Sequence, residues 1–388
     1  MGSIETTGIY IGALHRINRN VYTGWNGNFD TRSWTLRPNR VLFNICDELN
    51  SRQLNDFDLN FIHNEPSDLS IYTPDTEVIL PRAPGRFERA LAKLDLDIVY
   101  YPHFPKLRPG FFYLDAKKVV HLHGDLPYAM PSLMSVSERY RQYAIAAFYR
   151  WTKLSQRVDT YFAASDSLIN NKIQELGISR NKFVRTELAP AILTQVTDAV
   201  PQKNTLAKFG LTSGYMLDVA SNSEKKNIIN LLDAVASLHR HSINPPTLVI
   251  VGDWEDTETQ KYGKKILGDN VVFTGYVDEN DLSNLYKGAD LYINPTRHET
   301  FGLTNLEAMA AGLPVITSNK FAVPEVVGDA ALLIDDPEDT DEIANKIQLV
   351  IENADLRSEL ADKSQIRAEM YTWEKTVDTI LSVFKDLS

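Results

Sequence analysis

The sequence predicts an α/β protein of two domains, each built on a parallel β-sheet that helices cover. Three observations lead to this class. Short runs rich in β-branched residues alternate with segments of helical periodicity along the whole chain. At 388 residues, the chain is long enough for two domains with separate cores. A proline-containing stretch without a clear period, residues 188–212, separates the two halves and is predicted to be a linker.

The predicted elements fall into two sets of the same design. In the first half the strands are GIYIGAL, DLNFIHN, DIVYYP, KVVHLHG and TYFAAS, with helices between them, among others at 39–54 and 85–94. In the second half the strands are YMLDVAS, TLVIVG, VVFTGY, LYINPT, PVITS and ALLID, with helices at 227–240, 280–287, 304–311 and 339–352. Ligands of such sheets bind beyond the carboxyl ends of the strands. We therefore expect the site in a cleft between two facing domains.

These elements predict the domain boundaries. A Rossmann-like N-terminal domain is expected over residues 1–195, and a Rossmann-like C-terminal domain is expected over residues 196–370. Residues 371–388 are predicted to form a C-terminal helix that can cross back to the first domain.

Composition excludes several classes of function. A net charge of −11 argues against a protein that binds nucleic acid with its whole surface. The single cysteine, Cys46, excludes an internal disulfide and a cysteine-based zinc site. Asp335 and Asp336 stand in a DDPED turn, where solvated or capping roles are commoner than metal binding, so no metal ligand is predicted. No secretory signal pattern and no apolar run of roughly 20 residues is found, so the expected location is cytoplasmic.

The most informative stretch is RHETFGLTNLEAMAAGLPV, residues 297–315. Glu299 lies in a loop after a predicted strand, and Glu307 lies about one turn inside the following helix. The start of that helix offers free backbone N–H groups and a positive dipole end, which suit phosphate oxygens. Gly302 lets the backbone approach closely, and Thr304 can cap the helix or donate a hydroxyl. We expect the two carboxylates to face one crevice, with sugar hydroxyls at one, ribose hydroxyls at the other and a diphosphate between them.

Residues 299–315 resemble the signature of the retaining glycosyltransferases of family 4, E-x-FG-L-x-x-x-E-A-M-A-x-G-x-P-V. The segment FAVPEVVGDAALLIDDPED at 321–339 resembles the part of the family pattern that follows, and weaker agreement covers most of the chain. The resemblance implies the GT-B fold and a retaining, hexosyltransferase-type enzyme that needs no metal or other cofactor. The donor would be a UDP-, GDP- or ADP-linked sugar, and the acceptor a saccharide or a lipid-linked saccharide in polysaccharide, glycolipid or glycoprotein glycan assembly.

The resemblance also implies roles for individual residues. Glu299 would lie near hydroxyls of the donor sugar, and Glu307 would bind the ribose of the nucleotide. Backbone amides at the helix start would contact the donor phosphates, and the residues concerned are Phe301, Gly302, Leu303 and Thr304. Tyr276, in the segment TGY after another strand, corresponds to the region that holds the nucleotide base.

Positive charge for the leaving diphosphate is expected from the segment DVASNSEKKNIINLLDA. Lys226 matches the lysine that family members carry in this loop. Ser221 stands where family members usually carry an arginine. Either Lys225 supplies the second charge, or the site works with one cation.

The first half contributes a histidine that the resemblance places near the donor sugar. His121 and His123 lie two positions apart in VVHLHGDLPYAM and so share one face of a strand. His123 is the predicted catalytic histidine. Asp125 is predicted to orient His123, to bind acceptor hydroxyls or to cap the next helix. Gly24 and Gly27, in NVYTGWNGNFDTR, are candidates for backbone contact with donor and acceptor.

Residues 136–157 are predicted to form an amphipathic helix. One side gathers basic residues and a tyrosine: Arg139, Tyr143, Arg150, Lys153 and Arg157. An apolar stripe contains Tyr140, Ala144, Ala147, Phe148 and Trp151. The favoured interpretation is a helix that packs on the core with a solvated face. The alternative is a helix that docks on anionic lipid and holds the protein peripherally at the inner face of the membrane.

Retention without an obvious enzymic nucleophile suggests attack on the same face as the leaving group, with the leaving phosphate accepting the proton. Two other functions remain open. One is a GT-B epimerase or phosphorylase. The other is a catalytically weak partner subunit that binds nucleotide sugar, which the serine at position 221 favours.

Overall fold

The computed structural model describes residues 7–12, 57–63, 77–79, 86–93, 96–101, 109–124, 129–190, 201, 203–241 and 243–388, with several helical positions between 41 and 52. The chain forms two compact units. One comprises Met1–Glu187 with Trp373–Ser388, and the other comprises Leu188–Thr372. The contacts thus divide the chain at 187/188, eight residues before the boundary drawn from the sequence.

The first unit contains a seven-stranded sheet in which every described pairing is parallel. Its strands are β1 (Thr7–Gly12), β2 (Phe57–His63), β3 (Glu77–Ile79), β4 (Ile98–Tyr101), β5 (Lys117–Leu122), β6 (Thr160–Ala163) and β7 (Phe183–Arg185), in the spatial order β3-β2-β1-β4-β5-β6-β7. The helices described between them are α1 (Arg86–Leu91), α2 (Val136–Thr152) and α3 (Asp166–Leu176).

The second unit contains a six-stranded parallel sheet. Its strands are β8 (Tyr215–Val219), β9 (Leu248–Val251), β10 (Val271–Gly275), β11 (Ala289–Asn294), β12 (Val315–Ser318) and β13 (Leu332–Ile334), in the spatial order β10-β9-β8-β11-β12-β13. Its helices are α4 (Lys203–Lys208), α5 (Ile228–Arg240), α6 (Glu258–Leu267), α7 (Glu279–Gly288), α8 (Leu303–Ala310), α9 (Val323–Val327), α10 (Thr340–Glu352) and α11 (Ala354–Ala368).

The strand order in the second unit positions the candidate site. β8 and β11 are neighbours in the sheet although they lie far apart in the chain: Tyr215 pairs with Ala289, and Met216 pairs with Leu291. Both strands are parallel, so the loops after their carboxyl ends lie at the same edge of the sheet. The loop after β8 carries Lys226, and the loop after β11 carries Glu299.

The last helix, α12 (Trp373–Leu387), belongs to the first unit. Thr376 donates a hydrogen bond to the carbonyl oxygen of Glu187 over 2.6 Å. Arg52 Nη1 pairs with Asp378 Oδ1 at 2.5 Å, and the ring of Phe384 lies edge-on to Tyr100 with centroids 6.0 Å apart. The C-terminal segment therefore packs on the core of the N-terminal part of the chain.

The sequence predicted most elements to within two residues, and four differences stand out. The three-residue strands β3 and β7 were not predicted. Helices α6, α9 and α11 were also missed. The predicted linker contains α4, while residues 191–200 lie outside the described part of the chain. The strand predicted to run to Thr296 ends at Asn294.

The predicted helix over 136–157 ends earlier, and its apolar stripe does not face the core. Lys153 adopts φ 53°, a left-handed conformation that stops the helix, and a short 3₁₀ turn follows over Leu154–Arg157. The favoured interpretation of the stripe was wrong: Tyr140 is 70% exposed and Trp151 is 83% exposed. The helix instead contacts the core through Tyr149, which is buried, and Ile145, which packs against it. Neither lies on the stripe, because at 100° per residue they occupy another side of the helix.

None of the helices in the described part of the chain has the length and apolar composition that crossing a bilayer requires.

Candidate active site

The loop between β11 and α8 carries the glutamate motif. Phe301 is buried and lies edge-on to Tyr371, with ring centroids 5.9 Å apart. Gly302 precedes the helix with φ +93°, where only glycine is free of strain, and a Cβ there would lie 3.1 Å from Asn305 Nδ2. Because Gly302 has no side chain, it cannot cap the helix. No side chain caps the start of α8, where the amide of Asn305 donates to the carbonyl oxygen of Gly302 over 3.0 Å. The amides of Leu303 and Thr304 precede it and point out of the helix start, where they suit a ligand acceptor.

Lys226 and Glu299 form a direct ion pair between Nζ and Oε1. The lysine side chain is 1% exposed and the glutamate side chain is 10% exposed. Lys226 closes a 3₁₀ turn over Glu224–Lys226 that follows β8, and Asn227, with φ 59°, connects this turn to α5. The structure therefore joins the predicted cation and the predicted sugar-binding acid, which lie 73 positions apart in the sequence.

The backbone of this turn is held by the residues just before Glu299. Arg297 donates from its backbone nitrogen to the carbonyl oxygen of Lys225 over 2.8 Å, and Thr296 Oγ1 donates to the same oxygen over 2.9 Å. Arg297 Nη1 donates to the carbonyl oxygen of Glu224 over 2.6 Å. These three bonds fix the turn that presents Lys226.

The guanidinium of Arg297 also pairs with Glu338. Arg297 Nη2 donates to Glu338 Oε2 over 2.8 Å, and Asn230 Nδ2 donates to the same oxygen over 3.1 Å. The hydrogen bond from Arg297 lowers the pKa of the Glu338 carboxyl below its ordinary value. The same hydrogen bond raises the pKa of the guanidinium. Arg297 thus connects the DDPED turn to the turn that carries Lys226.

Glu307 is buried on α8 and has a defined partner. Tyr286, at the end of α7, donates from Oη to Glu307 Oε2 over 3.1 Å, and its hydroxyl also lies 3.5 Å from the carbonyl oxygen of Thr304. The predicted ribose contact of Glu307 stays a prediction, but the orientation of its carboxylate is set by a tyrosine that the motif does not include.

Buried polar side chains join the start of α8 to the sheet. Asn294 Nδ2 donates to Thr304 Oγ1 over 3.4 Å. Asn305 Nδ2 donates to Thr317 Oγ1 over 3.1 Å, and Thr317 Oγ1 donates to the carbonyl oxygen of Asn294 over 3.0 Å. The position of the helix start is therefore fixed by directional bonds as well as by apolar packing.

In the first unit, His121 and His123 stand at the end of β5. Their rings stack, with centroids 4.4 Å apart and an interplanar angle of 25°, as two residues on one face of a strand would. A hydrogen bond of 2.7 Å joins Tyr100 Oη and Nδ1 of His121, and His121 is buried. His123 is half-buried. Its predicted contact with the donor sugar stays a prediction.

The remaining candidates differ in exposure. Ser221 and Tyr276 are exposed, and Lys225 is half-buried. Asp125, Gly24 and Gly27 lie outside the described residues. Within the ranges described above, no cluster of three or more His, Cys, Asp or Glu side chains has the arrangement of a metal site.

Sequence reasoning missed two residues of this site, Arg297 and Tyr286. Arg297 stands two positions before the motif's first glutamate. Its acceptors in the turn are backbone carbonyl oxygens, and a sequence pattern does not indicate such contacts. Tyr286 gave no signal, because its contact with Glu307 depends on how α7 packs beside α8.

The fold and this site define a class of protein. Solved structures of similar fold include a glycosyltransferase from Rickettsia africae ESF-5, with a TM-score of 0.72 and 14% identity over 99% of each chain. Another is Anabaena Alr3699/HepE in complex with UDP-glucose, with a TM-score of 0.69 and 17% identity over 98% of this chain and 99% of that chain. The chain therefore has the GT-B fold, as predicted.

Residues 206–367 match the model of the glycosyl transferases group 1. This match supports the family-4-type resemblance found in the sequence. A relative, O-antigen chain mannosyltransferase B of Escherichia coli, is 32% identical over 214 residues, which are 53% of this chain and 55% of that protein. The chain spans about half the length of the curated relatives it matches.

Proposed function

We propose that the protein is a retaining glycosyltransferase that moves a sugar from a nucleotide-sugar donor to an acceptor hydroxyl. The observation that carries the proposal is the position of the Lys226–Glu299 pair beside a helix start that no side chain caps. Breaking a sugar–phosphate bond places negative charge on the departing diphosphate, which fixed positive groups must stabilise. A buried lysine and the positive end of α8 supply such groups at one place.

The other residues of the site receive roles that follow from this placement. Glu299 would bind hydroxyls of the donor sugar, and Glu307, held by Tyr286, would bind the ribose. The amides of the helix start would bind the diphosphate, and Lys225 would add a second cation where Ser221 replaces an arginine. His123 is proposed as a further contact to the sugar. The reaction proposed here uses no metal or other cofactor.

Retention is expected to follow from attack on the face that the diphosphate leaves. The transition state resembles an oxocarbenium ion. The bond from the anomeric carbon to the phosphate oxygen breaks, the acceptor oxygen forms the new bond on the same face, and the leaving phosphate takes the acceptor proton. Lys226 would stabilise that phosphate while its charge develops.

The proposed donor is a nucleotide-linked hexose, and the proposed acceptor is a saccharide or a lipid-linked saccharide in glycan assembly. The name of the Escherichia coli relative, O-antigen chain mannosyltransferase B, supports a hexose. The UDP-glucose in the Anabaena structure supports a nucleotide diphosphate donor.

The test begins with a panel of UDP-, GDP- and ADP-linked hexoses scored by thermal shift. A donor that stabilises the protein is then used in single-turnover assays with saccharide and lipid-linked acceptors, in which release of the nucleoside diphosphate is measured. We expect Lys226→Ala to lower turnover more than donor binding. Lys261→Ala is the control, because Lys261 is an exposed lysine on α6 that pairs with Glu258. Donor binding without release of nucleotide would favour the inactive partner subunit.

We also propose that the outer face of α2 holds the protein peripherally on anionic membrane. We name this surface the α2 face: it comprises the apolar stripe Tyr140, Ala144, Ala147, Phe148 and Trp151 and the basic side Arg139, Arg150, Lys153 and Arg157. All five residues of the stripe are exposed. Three of the basic residues, Arg150, Lys153 and Arg157, are exposed as well. Exposed aromatic rings beside several cations on an acidic protein suit an anionic lipid surface better than an acidic protein partner. On lipid, the cations contact the headgroups and the rings are buried among the acyl chains.

A cavity of about 550 Å³ opens on the α2 face, lined by Tyr143, Ala146, Ala147, Arg150, Trp151 and Glu175. Its lining is mostly apolar and includes the guanidinium of Arg150 and the carboxylate of Glu175, which pairs with Lys172. The apolar part fits an acyl chain, and Arg150 can contact a phosphate. This arrangement supports lipid as the occupant of the α2 face.

Vesicle co-sedimentation tests the lipid proposal. We expect binding to phosphatidylglycerol-containing vesicles and weak binding to pure phosphatidylcholine. Trp151→Ala and Lys153→Gln should each reduce that binding. Ile366→Ala, which removes an exposed apolar side chain on α11, is the control and should have no effect. Equal binding of wild type and Trp151→Ala would overturn the proposal.

A further inference from the structure

The proposed function gives Lys226 and Glu299 separate ligands, but the structure pairs them with each other. Lys226 is assigned to the donor diphosphate and Glu299 to the donor sugar, while Lys226 Nζ contacts Glu299 Oε1. Both side chains are almost completely buried. Breaking a buried ion pair is costly, so the two groups separate most readily when a ligand offers new partners to both of them.

We infer that Glu299 competes with the donor diphosphate for Lys226, so that the ion pair is the resting state of the empty donor site. The inference rests on the proposed function and adds to it a mechanism that distinguishes donor from product. A complete nucleotide sugar offers phosphate oxygens to Lys226 and hydroxyls to Glu299, so both charged groups find new partners. A nucleoside diphosphate offers nothing to Glu299.

The surrounding contacts determine which part of the pair can move. The carbonyl oxygens of Glu224 and Lys225 accept bonds from Arg297 and Thr296, which hold the backbone of the turn. The side chain of Lys226 has four rotatable methylenes and carries a compact charge. Competition is therefore resolved by side-chain rotation, with the turn and the start of α8 in place.

Charge adds to this difference, because the terminal phosphate of a nucleoside diphosphate carries more negative charge than the same phosphate in a nucleotide sugar. A diphosphate at the start of α8 would lie close to the carboxylate of Glu299, which stands three positions before Gly302. In a site that excludes water, like charges repel strongly. Glu299 therefore opposes the product twice, by occupying Lys226 and by repelling the phosphates. Release of the nucleoside diphosphate after transfer re-forms the ion pair.

The test compares the affinity of wild type and Glu299→Gln for a nucleoside diphosphate without a sugar, UDP or GDP according to the donor that wild type uses. Isothermal titration is the measurement. We expect Glu299→Gln to lower the Kd by about tenfold, the factor of one hydrogen bond to a charged group, and to slow transfer. An affinity equal to or weaker than that of wild type would overturn the inference.

Glu224→Gln is the matched control. It removes one negative charge from an exposed side chain in the same turn, two positions from Lys226. Its affinity for the nucleoside diphosphate should equal that of wild type, and a gain as large as that of Glu299→Gln would overturn the inference in favour of a general charge effect. If Glu299→Gln does not fold, Glu299→Asp withdraws the carboxylate by one methylene and should change the Kd in the same direction.

Failure of the inference differs from failure of the proposed function. A wild-type protein that binds no nucleoside diphosphate and transfers no sugar would overturn both. A wild-type protein that binds and transfers, with no tighter binding in Glu299→Gln or Glu299→Asp, would overturn the inference alone.

Discussion

Tyr286 Oη donates a hydrogen bond of 3.1 Å to Glu307 Oε2, and both side chains are buried. The tyrosine comes from the last turn of α7 and the glutamate from α8, so the bond crosses between two helices of the second unit. The bond favours one orientation of the carboxylate, because rotating the carboxylate away would break a buried hydrogen bond. Tyr286 is therefore a positioning residue for the proposed ribose contact.

Tyr286→Phe should raise the donor Kd by about tenfold, because Glu307 loses the bond that orients it. The kcat for bound donor should change less than the KM. Donor titration and steady-state kinetics measure the two effects.

Tyr215→Phe is the matched control for this change. Tyr215 is also buried, and its Oη donates over 2.6 Å to the carbonyl oxygen of Leu285 rather than to the carboxylate of Glu307. Both variants should lose stability to a similar extent, but only Tyr286→Phe should lose donor affinity. Equal losses of donor affinity would mean that Tyr286 acts only through the fold.

The elements of this fold were predictable where a run of residues was long or strongly patterned. β8 is buried at every position and was read from YMLDVAS, and α8 was placed within one residue of its observed bounds. The strands β3 and β7 have three residues each, too few for alternation to be recognised. The α2 stripe shows the opposite failure, since a clear pattern faced solvent rather than core.

The candidate site was predictable as a set of residues and not as a set of contacts. The motif spacing identified Glu299, Glu307 and Lys226. The contact between Lys226 and Glu299 depends on β8 and β11 being neighbours, and the order of strands along the chain does not fix their order in the sheet. The support from Tyr286 and Arg297 depends in the same way on packing between distant segments.

Arg297→Lys should lower kcat while leaving the free energy of unfolding nearly unchanged. The guanidinium bonds to Glu338 and to the carbonyl oxygen of Glu224 at the same time. A single ammonium cannot reproduce that fork, so the turn carrying Lys226 becomes looser. The stability effect is small because lysine keeps the charge and because the Glu338 side chain in this ion pair is 54% exposed.

Glu338→Gln separates the two bonds of Arg297. It removes the ion pair but leaves the bond from Arg297 to the turn. We expect it to retain most of the kcat that Arg297→Lys loses. The measurement is the kcat of the two variants under the same conditions. An equal loss of kcat in both would assign the effect to the ion pair rather than to the turn.

The Arg297–Glu338 pair should also stabilise the protein in a pH-dependent way. The hydrogen bond from Arg297 lowers the pKa of the Glu338 carboxyl in the folded protein below its ordinary value. The pair therefore contributes its full stability above the unfolded-state pKa, and this contribution is lost as pH falls through the lower folded-state pKa. The urea midpoints of wild type and Glu338→Gln should differ at neutral pH and converge in acid. A difference that stays constant with pH would contradict this assignment.

Gly302→Ala should weaken donor binding as well as the fold. The residue has φ +93°, and an added Cβ would lie 3.1 Å from Asn305 Nδ2, which is already bonded to Thr317. Strain in the left-handed region costs about 1–3 kcal/mol, and the crowded Asn305 would shift the start of α8 where the diphosphate is proposed to bind. Urea unfolding measures the first effect, and titration with donor measures the second.

Gly210→Ala isolates the contribution of backbone strain. Gly210 has φ +68°, and an added Cβ there would meet no heavy atom within 4 Å. It should therefore lose stability through strain and keep the donor affinity of wild type, because it follows α4 and not the helix of the glutamate motif. If Gly302→Ala also kept that affinity, the start of α8 would not be where the donor phosphates bind.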